Sequence, residues 1–411
     1  MIMLRNKVLL NNGDLRKTKV TWFYPISMAP KRLNKLRSTW NAAYLKYFAN
    51  ATTNCMTESS APIHYFFRRY ATATNLVNID IGGGTTDIAF AKDKEVMHVT
   101  SFKFASNVLF ENSFSDVDPN NGIVEYYKNT VCNLLKEKNL IELLDVFNGD
   151  NNAYPANMAS FLFSLKNNSM TKELESKCLD FNYILQEDEN FKIVFIIFYT
   201  AIIYHIAQIV KVKNVKMPRH ITFSGNGSKV IRIITSDPKG LAKYTKLIFE
   251  EVIGQKYDGE LDILGLDTDS NPKELTCKGG LLGIGTAADD KDKIIILKAK
   301  GDSLVSEEDT YDTIDDLYIN QTITAVKDFF EFTLSRMNNL FNFDDNFGVE
   351  KKSLEIAKDI CKKDIETYLR KGLAQCQEES DGKENIEETL FFYPIKGVLH
   401  SLSQSIYESL K

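Results

Sequence analysis

The sequence contains few cysteines and histidines, and neither residue type is spaced for metal binding. The six cysteines, none of them in a C-x-x-C pair, are Cys55, Cys132, Cys178, Cys277, Cys361 and Cys376. The five histidines, none of them in an H-x-x-x-H pattern, are His64, His98, His205, His220 and His400. This spacing argues against zinc and disulfide frameworks. It favours structural histidines and reduced, mostly buried thiols in a cytoplasmic protein.

An excess of positive charge is also missing, and long apolar runs are rare. The net charge of −5 provides no basic face for a phosphate backbone, so we expect no nucleic-acid partner. The N-terminal segment has no apolar core followed by a small-residue cleavage site, so we expect no signal peptide. The one long apolar run, residues 191–210, contains Lys192, His205 and Gln208. We interpret it as a buried helix rather than a membrane span.

Short apolar segments alternate with longer helical patterns, which predicts an α/β fold. Strands are predicted at residues 19–24, 54–56, 76–81, 87–91, 96–102 and 220–224. Helical spacing predicts a helix at 31–48, a helix after Glu58 with Ile63, Phe66, Phe67 and Tyr70 on one side, and a mostly helical region at 106–216. Residues 301–316 carry seven acidic side chains and predict a solvated linker. Residues 317–411 are predicted to be an all-helical appendage.

The most informative segment is VNIDIGGGTTDIAF at residues 77–90. A strand delivers Asp80 to its end, three glycines form a tight turn, and a second strand begins near Thr86. Glycines let backbone amides approach phosphate oxygens without a Cβ in the way. The hydroxyls of Thr85 and Thr86 add donors, and Asp80 and Asp87 are suited to hold a hydrated Mg²⁺ on the phosphates.

Two alternatives bear on this segment. A glycine-rich β-hairpin with incidental aspartates would share part of the pattern, but D-x-G-G-G-T-x-D between two apolar strands is more specific than a triple glycine. A Walker loop is excluded because the sequence contains no G-x-x-x-x-G-K-[ST]. The pattern therefore predicts binding of ATP with Mg²⁺ through residues 80–87.

This segment resembles the second phosphate motif of the actin, sugar-kinase and heat-shock-chaperone (ASKHA) ATPase superfamily, and most closely that of its DnaK-like branch. Three further segments occur in the superfamily's order. ITFSGNGSKV resembles the adenosine motif, TESSAPIHYF resembles a segment at the inter-domain crossing, and CKGGLLG resembles the glycine pair at the other crossing. The resemblance covers roughly residues 15–300 and implies an actin-like, ribonuclease H-like fold.

The resemblance also implies roles for individual residues. Asp80 would orient the attacking water and hold the metal shell, Thr85 would contact the terminal phosphate, and Gly82, Gly83 and Gly84 would supply amides. Asp87 would lie in the metal's outer shell, and Glu58 would position the water from the opposite domain. Such a site acts by positioning and charge stabilisation. Alternatively, Glu58 could simply favour the N-terminus of the helix that follows it.

The second glycine turn, together with the glycine pair further along the chain, completes the implied nucleotide site. Gly225 and Gly227 would allow close approach to the ribose and α-phosphate, with Ser228 as a donor. Asn226 replaces the more usual glycine, and asparagine tolerates a left-handed conformation. Lys229 could lie on the adenine ring or be solvated. By the same resemblance, Gly279 and Gly280 would line the nucleotide site and precede a helix of small residues.

The first phosphate hairpin of the superfamily, of the D-x-G-T-T type, has no counterpart before Lys19. Either an N-terminally truncated ATPase or a degenerate nucleotide-binding protein would explain this, and we favour truncation because the remnant leaves an uncovered sheet edge. The expected domains are a remnant of the first domain at 1–77 and a second ATPase domain at 78–300. The helical insertion, the acidic linker at 301–316 and the helices at 317–411 complete the organisation. We expect poor ATP hydrolysis by this chain alone.

The sequence is compatible with three different functions. The first is a DnaK-like ATPase module whose nucleotide state changes the domain arrangement and acts on a protein partner or client through the helical C-terminal region. Chaperone activity is doubtful, because that region replaces the β-rich peptide-binding domain expected of a true chaperone. The second is an actin-like filament-forming protein, and the third is a small-molecule kinase. The fold alone does not decide between them.

Overall fold

A computed structural model describes residues 1–26, 28, 30–48, 53–70, 73–111, 120–149, 154–167, 179–266, 272–283, 310–379, 386 and 388–411. Residues 301–309 of the expected linker lie outside this description, as do residues 284–300 of the expected second domain and parts of the expected insertion. The helix of small residues expected after Gly280 also lies largely outside the described residues.

Among the residues that the structure describes, seven strands form two sheets. The strands are β1 (Val20–Tyr24), β2 (Thr53–Thr57), β3 (Asn75–Ile81), β4 (Thr86–Lys92), β5 (Glu95–Phe102), β6 (His220–Ser224) and β7 (Asp262–Leu264). The larger sheet has the order β5-β4-β3-β6-β7, in which β4 runs antiparallel to both neighbours and β6 runs parallel to β3 and β7. This is the sheet of a ribonuclease H-like, actin-like domain, so the α/β fold class predicted from the sequence is confirmed.

The helices in the first two-thirds of the chain connect and cover these strands. They are α1 (Ile2–Leu10), α2 (Pro30–Tyr47), α3 (Ala61–Arg69), α4 (Gly122–Glu137), α5 (Ile141–Phe147), α6 (Pro155–Ser164), α7 (Phe181–Glu187), α8 (Lys192–Val212), α9 (Ile231–Ile234), α10 (Pro238–Ile253) and α11 (Pro272–Leu282). Short 3₁₀ helices occur at Ser106–Leu109, Leu165–Asn167, Asn226–Val230 and Tyr311–Thr313.

The C-terminal region is helical, as predicted. Its helices are α12 (Asp316–Glu331), α13 (Asn338–Phe341), α14 (Phe343–Phe347), α15 (Lys351–Ile360), α16 (Ile365–Glu379) and α17 (Phe392–Ser409), with a π-helix at Phe332–Met337. These helices are not set apart from the sheet, because their buried side chains belong to the same core as β3, α4 and α8. A Cβ on Gly122 of α4 would lie 2.0 Å from the Ser403 carbonyl oxygen of α17, which shows how closely these two helices approach.

The apolar run identified in the sequence forms α8. This helix is long and apolar enough to cross a membrane, yet every residue from Ile193 to Val210 is buried within the protein. The helix packs against α9, α10, α15 and α17. A helix that is apolar on all sides needs cover on all sides, and the C-terminal helices supply part of that cover.

The N-terminal part of the chain contains the smaller, two-stranded sheet. Strands β1 and β2 pair in parallel, with Val20 opposite Thr53 and Tyr24 opposite Thr57, and α2 connects them. Helix α3 follows β2 directly and packs against α11. The elements not predicted from the sequence include α1, α9, α10 and β7. Helix α1 has no buried residue, and β7 has only three residues, so neither shows a clear amphipathic period.

Candidate functional site

Two glycine turns meet at the carboxyl ends of β3 and β6. These neighbouring strands are parallel, and their register places Asp80 opposite Ser224, at the last position of β6. The β3–β4 hairpin closes through a hydrogen bond of 2.9 Å from the Gly82 amide to the Thr85 carbonyl. The carboxyl ends of parallel strands are where α/β sheets commonly bind ligands. The two predicted motifs therefore share one edge of the sheet, although about 140 residues separate them.

The two turns contact each other so closely that only glycine fits. Gly225 has φ +77° and ψ 152°, a conformation that residues with side chains rarely adopt. A Cβ there would lie 2.4 Å from Asp80 Oδ1 and 2.4 Å from the Ile81 carbonyl oxygen. A Cβ on Gly227 would lie 2.2 Å from the Gly82 carbonyl oxygen. The absence of a side chain at both glycines therefore allows the second turn to pack against the first.

The outer part of the first turn is open. Gly83 and Gly84 are exposed, and Gly82 and Thr85 are half-buried. A Cβ on Gly84 would meet no atom within 4 Å. Within the described part of the chain, the amides of Gly83 and Gly84 donate to no other protein group. The turn therefore presents unused backbone donors to a ligand, which is the chemistry that an anionic group such as a phosphate requires.

Two carboxylates flank this turn, and a third lies within electrostatic range of Asp80. Asp80 is half-buried and lies opposite the buried Asp87 in the β3–β4 register, and Glu58 is exposed in the loop between β2 and α3. Burial raises the pKa of Asp80 to about 7, a hydrogen bond from Ser224 opposes this shift, and the charges of Asp87 and Glu58 add to it. Because its charge affects the pKa of Asp80, Glu58 lies within electrostatic range of Asp80, although it comes from the loop after β2.

The carboxylates are compatible with a hydrated Mg²⁺ but not with a protein cage around a bare ion. No group of three or more metal-ligand side chains occurs among the residues that the structure describes. Mg²⁺ keeps several waters and is often bound by one or two carboxylates together with substrate phosphates. Asp80 and Asp87 could hold it in that way. A cation beside Asp80 would also favour its ionised form.

Glu58 is not the cap of the helix that follows it. The N-cap of α3 is Ser60, whose backbone amide bonds to Thr57 Oγ1 at 3.1 Å. The Glu58 backbone amide donates to the Tyr24 carbonyl at 3.1 Å, and this bond ties the loop to the end of β1. The Glu58 carboxylate itself is exposed, and its charge acts on Asp80.

The second turn presents some of its predicted residues and encloses others. Asn226 and Lys229 are exposed, whereas Ser228 is buried and its hydroxyl donates to the Gly225 carbonyl at 2.7 Å. Asn226 begins a 3₁₀ helix and does not adopt the left-handed conformation, because the positive φ falls on Gly225 instead. Ser228 therefore stabilises the turn and, in this conformation, does not offer its hydroxyl to a ligand.

Thr86 and the glycine pair of α11 are enclosed by protein. The Thr86 side chain is fully buried, and its hydroxyl donates to the Phe104 carbonyl at 2.6 Å. Gly279 and Gly280 lie inside α11 rather than before a helix. A Cβ on Gly279 would lie 1.8 Å from the Ala61 carbonyl oxygen of α3, and one on Gly280 would lie 2.4 Å from the Phe23 ring. Close packing of α11 against α3 and β1 accounts for both glycines.

Ser106 and Asn107 support the first turn and were not identified from the sequence. The amide and hydroxyl of Ser106 both donate to the Gly82 carbonyl, at 3.3 Å and 2.9 Å, and the Asn107 amide donates to the Gly83 carbonyl at 2.9 Å. Their position near the first turn could have been inferred from the strand topology. In an antiparallel β4–β5 pair, the residues that follow β5 return to the end of the sheet where β4 begins.

Comparisons with known proteins give only distant structural likenesses. No protein-family model matches the sequence, and no curated protein matches it. The ethanolamine utilization protein EutJ from Carboxydothermus hydrogenoformans aligns with 12% identity and a TM-score of 0.31, over 68% of this chain and 72% of that chain. MreB5 of Spiroplasma citri bound to ADP aligns with 11% identity and a TM-score of 0.28, over 69% and 73%.

MreB5 of Spiroplasma citri bound to AMPPNP aligns with 13% identity and a TM-score of 0.26, over 66% of this chain and 69% of that chain. Because all three TM-scores are low, these likenesses do not bear on what this chain binds. The order and direction of the strands define the fold, and the contacts between the two glycine turns define the candidate site.

Proposed function

We propose that this chain binds ATP with Mg²⁺ as an actin-like ATPase module of the DnaK-like branch. The observation that carries the proposal is the pair of unused, exposed amides at Gly83 and Gly84, beside two aspartates and in contact with a second glycine turn. Backbone amides in a turn suit phosphate oxygens, and the aspartates suit the cation that accompanies them.

The arrangement favours an anion that carries a divalent cation, as ATP does, over a bare anion. Asp80 and Asp87 would repel a bare phosphate, so an anion at this turn is favoured only when a cation accompanies it. The second turn lies directly against the first and exposes Asn226 and Lys229, which gives the nucleoside a surface adjoining the phosphates. Lys229 could place its methylene groups on the base.

Hydrolysis would depend on Asp80 at the end of β3 and on Glu58 in the loop after β2, whose charge acts on Asp80. Glu58 would position the attacking water, and Asp80 would orient it and hold the metal's hydration shell. This is catalysis by positioning and charge stabilisation. We infer that hydrolysis by this chain alone is slow, because the sequence supplies one glycine hairpin of this type to the phosphates and no D-x-G-T-T hairpin.

The contacts around β5 suggest how nucleotide binding would reach the C-terminal helices. Ser106 and Asn107, which hold the first turn, follow the segment from Phe102 to Phe104 after one intervening residue. Phe392 of α17 stacks on Phe102 and Phe104 with ring-centre distances of 4.2 Å and 4.6 Å. Movement of the turn would therefore be transmitted to α17, and we propose that a protein partner recognises this helical region.

The proposal is tested by measuring ATP affinity calorimetrically with Mg²⁺ and with EDTA. The variants are Asp80→Ala, Gly84→Val and the control Glu95→Ala, which removes an exposed carboxylate from the far end of the same sheet. Gly84→Val adds a side chain where no protein atom lies within 4 Å, so it blocks the ligand without disturbing the fold.

We expect Asp80→Ala to abolish the gain in affinity from Mg²⁺ and Gly84→Val to weaken binding at least about tenfold, in line with the loss of one or two charge-assisted hydrogen bonds. Glu95→Ala should bind as the parent does. Equal affinity in all four proteins would mean that the glycine turn is only a hairpin and would refute the proposal.

A further inference from the structure

Asn78 is an amide side chain in the middle of β3, with an apolar residue on either side. It is fully buried in β3, between Val77 and Ile79 of the main core. Burying an amide is costly unless its donors and acceptor are satisfied. Here Thr222 Oγ1 donates to Asn78 Oδ1 at 2.9 Å, and Asn78 Nδ2 donates to the Ser59 carbonyl and to Ser224 Oγ, both at 3.1 Å. The three partners come from two different segments of the chain.

These bonds connect the two halves of the candidate site. Residues 78 and 80 lie on the same face of β3, and the register places them opposite Thr222 and Ser224 of β6. Ser224 Oγ accepts from Asn78 and donates to Asp80 Oδ2 at 2.8 Å, which leaves Asp80 Oδ1 beside Gly225. In the other direction, the Ser59 carbonyl belongs to the residue that follows Glu58.

We propose that Asn78 is a positioning residue of the candidate nucleotide site, because it holds Asp80 through Ser224 and holds the Glu58 loop through the Ser59 carbonyl. The inference rests on the proposed function. A side chain without hydrogen-bonding groups at position 78 would fill the same space but would leave Ser224 free to rotate away from Asp80. It would also leave the Ser59 carbonyl buried without its donor.

The bond from Thr222 provides a matched control. Thr222 is fully buried and bonds to the same amide, but it touches neither Asp80 nor the Glu58 loop through any bond described here. If Asn78 served only the packing of the core, loss of the Thr222 bond and loss of the Asn78 amide would have similar consequences. If Asn78 positions the site, only the second loss changes how the site holds a metal-bound ligand.

The test compares Asn78→Leu, Ser224→Ala, their double variant and Thr222→Val. For each, ATP affinity is measured with Mg²⁺ and with EDTA, and folding is checked by circular dichroism and thermal unfolding. The readout is the ratio of the two affinities, because a general loss of stability would lower both together. We expect Asn78→Leu and Ser224→Ala each to reduce this ratio about tenfold, and the double variant to be no worse than either single variant. Thr222→Val should stay within about twofold of the parent.

Three results would overturn the positioning role while leaving nucleotide binding intact. They are an unchanged ratio in Asn78→Leu, equal losses in Asn78→Leu and Thr222→Val, and additive losses in the double variant. If Asn78→Leu fails to fold, Ser224→Ala against Thr222→Val decides the matter, since only the former breaks the bond to Asp80. A parent chain without Mg²⁺-dependent ATP binding would instead refute the proposed function, and the role of Asn78 with it.

Discussion

Gly227→Ala directly perturbs the contact between the two glycine turns. The new methyl group would lie 2.2 Å from the Gly82 carbonyl oxygen, 2.8 Å from the Ile81 carbonyl oxygen and 2.8 Å from Ser106 Oγ. Ordinary contacts of this kind begin above about 3 Å, so the turns must separate by roughly an ångström. Two of the three opposing atoms are backbone atoms that cannot rotate away.

The expected cost follows from overpacking, which typically destabilises by about 1–3 kcal/mol, and backbone neighbours place this case at the upper end. Chemical denaturation followed by circular dichroism measures it. The control is Gly84→Ala in the facing turn, where the added methyl group meets nothing within 4 Å and stability should change by less than about 0.5 kcal/mol. If Gly227→Ala is as stable as Gly84→Ala, the two turns are not in contact and the reasoning fails.

Three further predictions concern the surrounding fold. Burial lowers the pKa of His205 to about 3 from 6.5, so the unfolded chain binds the extra proton and stability falls as pH drops below about 6.5. The loss should be about 2 kcal/mol at pH 5 relative to pH 8, and His205→Gln should flatten that part of the pH profile. If stability depends on pH with the same slope in His205→Gln as in the parent, this prediction is contradicted. Gly279→Ala should destabilise by more than about 2 kcal/mol, because its Cβ would lie 1.8 Å from the Ala61 carbonyl oxygen; a neutral effect in denaturant melts would show that α3 and α11 do not pack as described. Phe392→Ala should cost about 3–5 kcal/mol, since it removes a fully buried ring from the centre of the core, and hydrogen exchange should then rise in the segment 102–107; exchange confined to α17 would argue against coupling to the glycine turn.

The sequence predicted the sheet well because its signals are local. The alternation of apolar residues in β3 and β4, with three glycines between them, specifies a hairpin with few alternatives. The strand before Gly225 is equally clear, since HITFS contains two β-branched residues and a phenylalanine and ends at a glycine. The prediction that both turns serve one site required the parallel pairing of β3 with β6, which the resemblance supplied and no local pattern could.

Features that depend on distant partners were out of reach. Nothing in VNIDI indicates that Asn78 bonds to Thr222 and Ser224, which lie 144 and 146 residues further along the chain. Gly279 and Gly280 look like a turn in the sequence because glycine is unfavourable inside a helix. The approach of α3 explains why they occur there. The C-terminal helices show their own periodicity, but only α8, which is apolar on every side, hints that other helices must cover it.

If the proposed function is right, the amides of the first glycine turn bind a metal-bound polyphosphate. The direct measurement is a titration of the ¹⁵N-glycine-labelled chain with MgATP, followed by amide NMR. The resonances of Gly83 and Gly84 should shift saturably, together with those of Gly225 and Gly227, while that of Gly259, which lies beside Arg219 at the opposite end of β6, moves little. Saturable binding that leaves Gly83 and Gly84 unmoved, or no binding at all, would contradict the account.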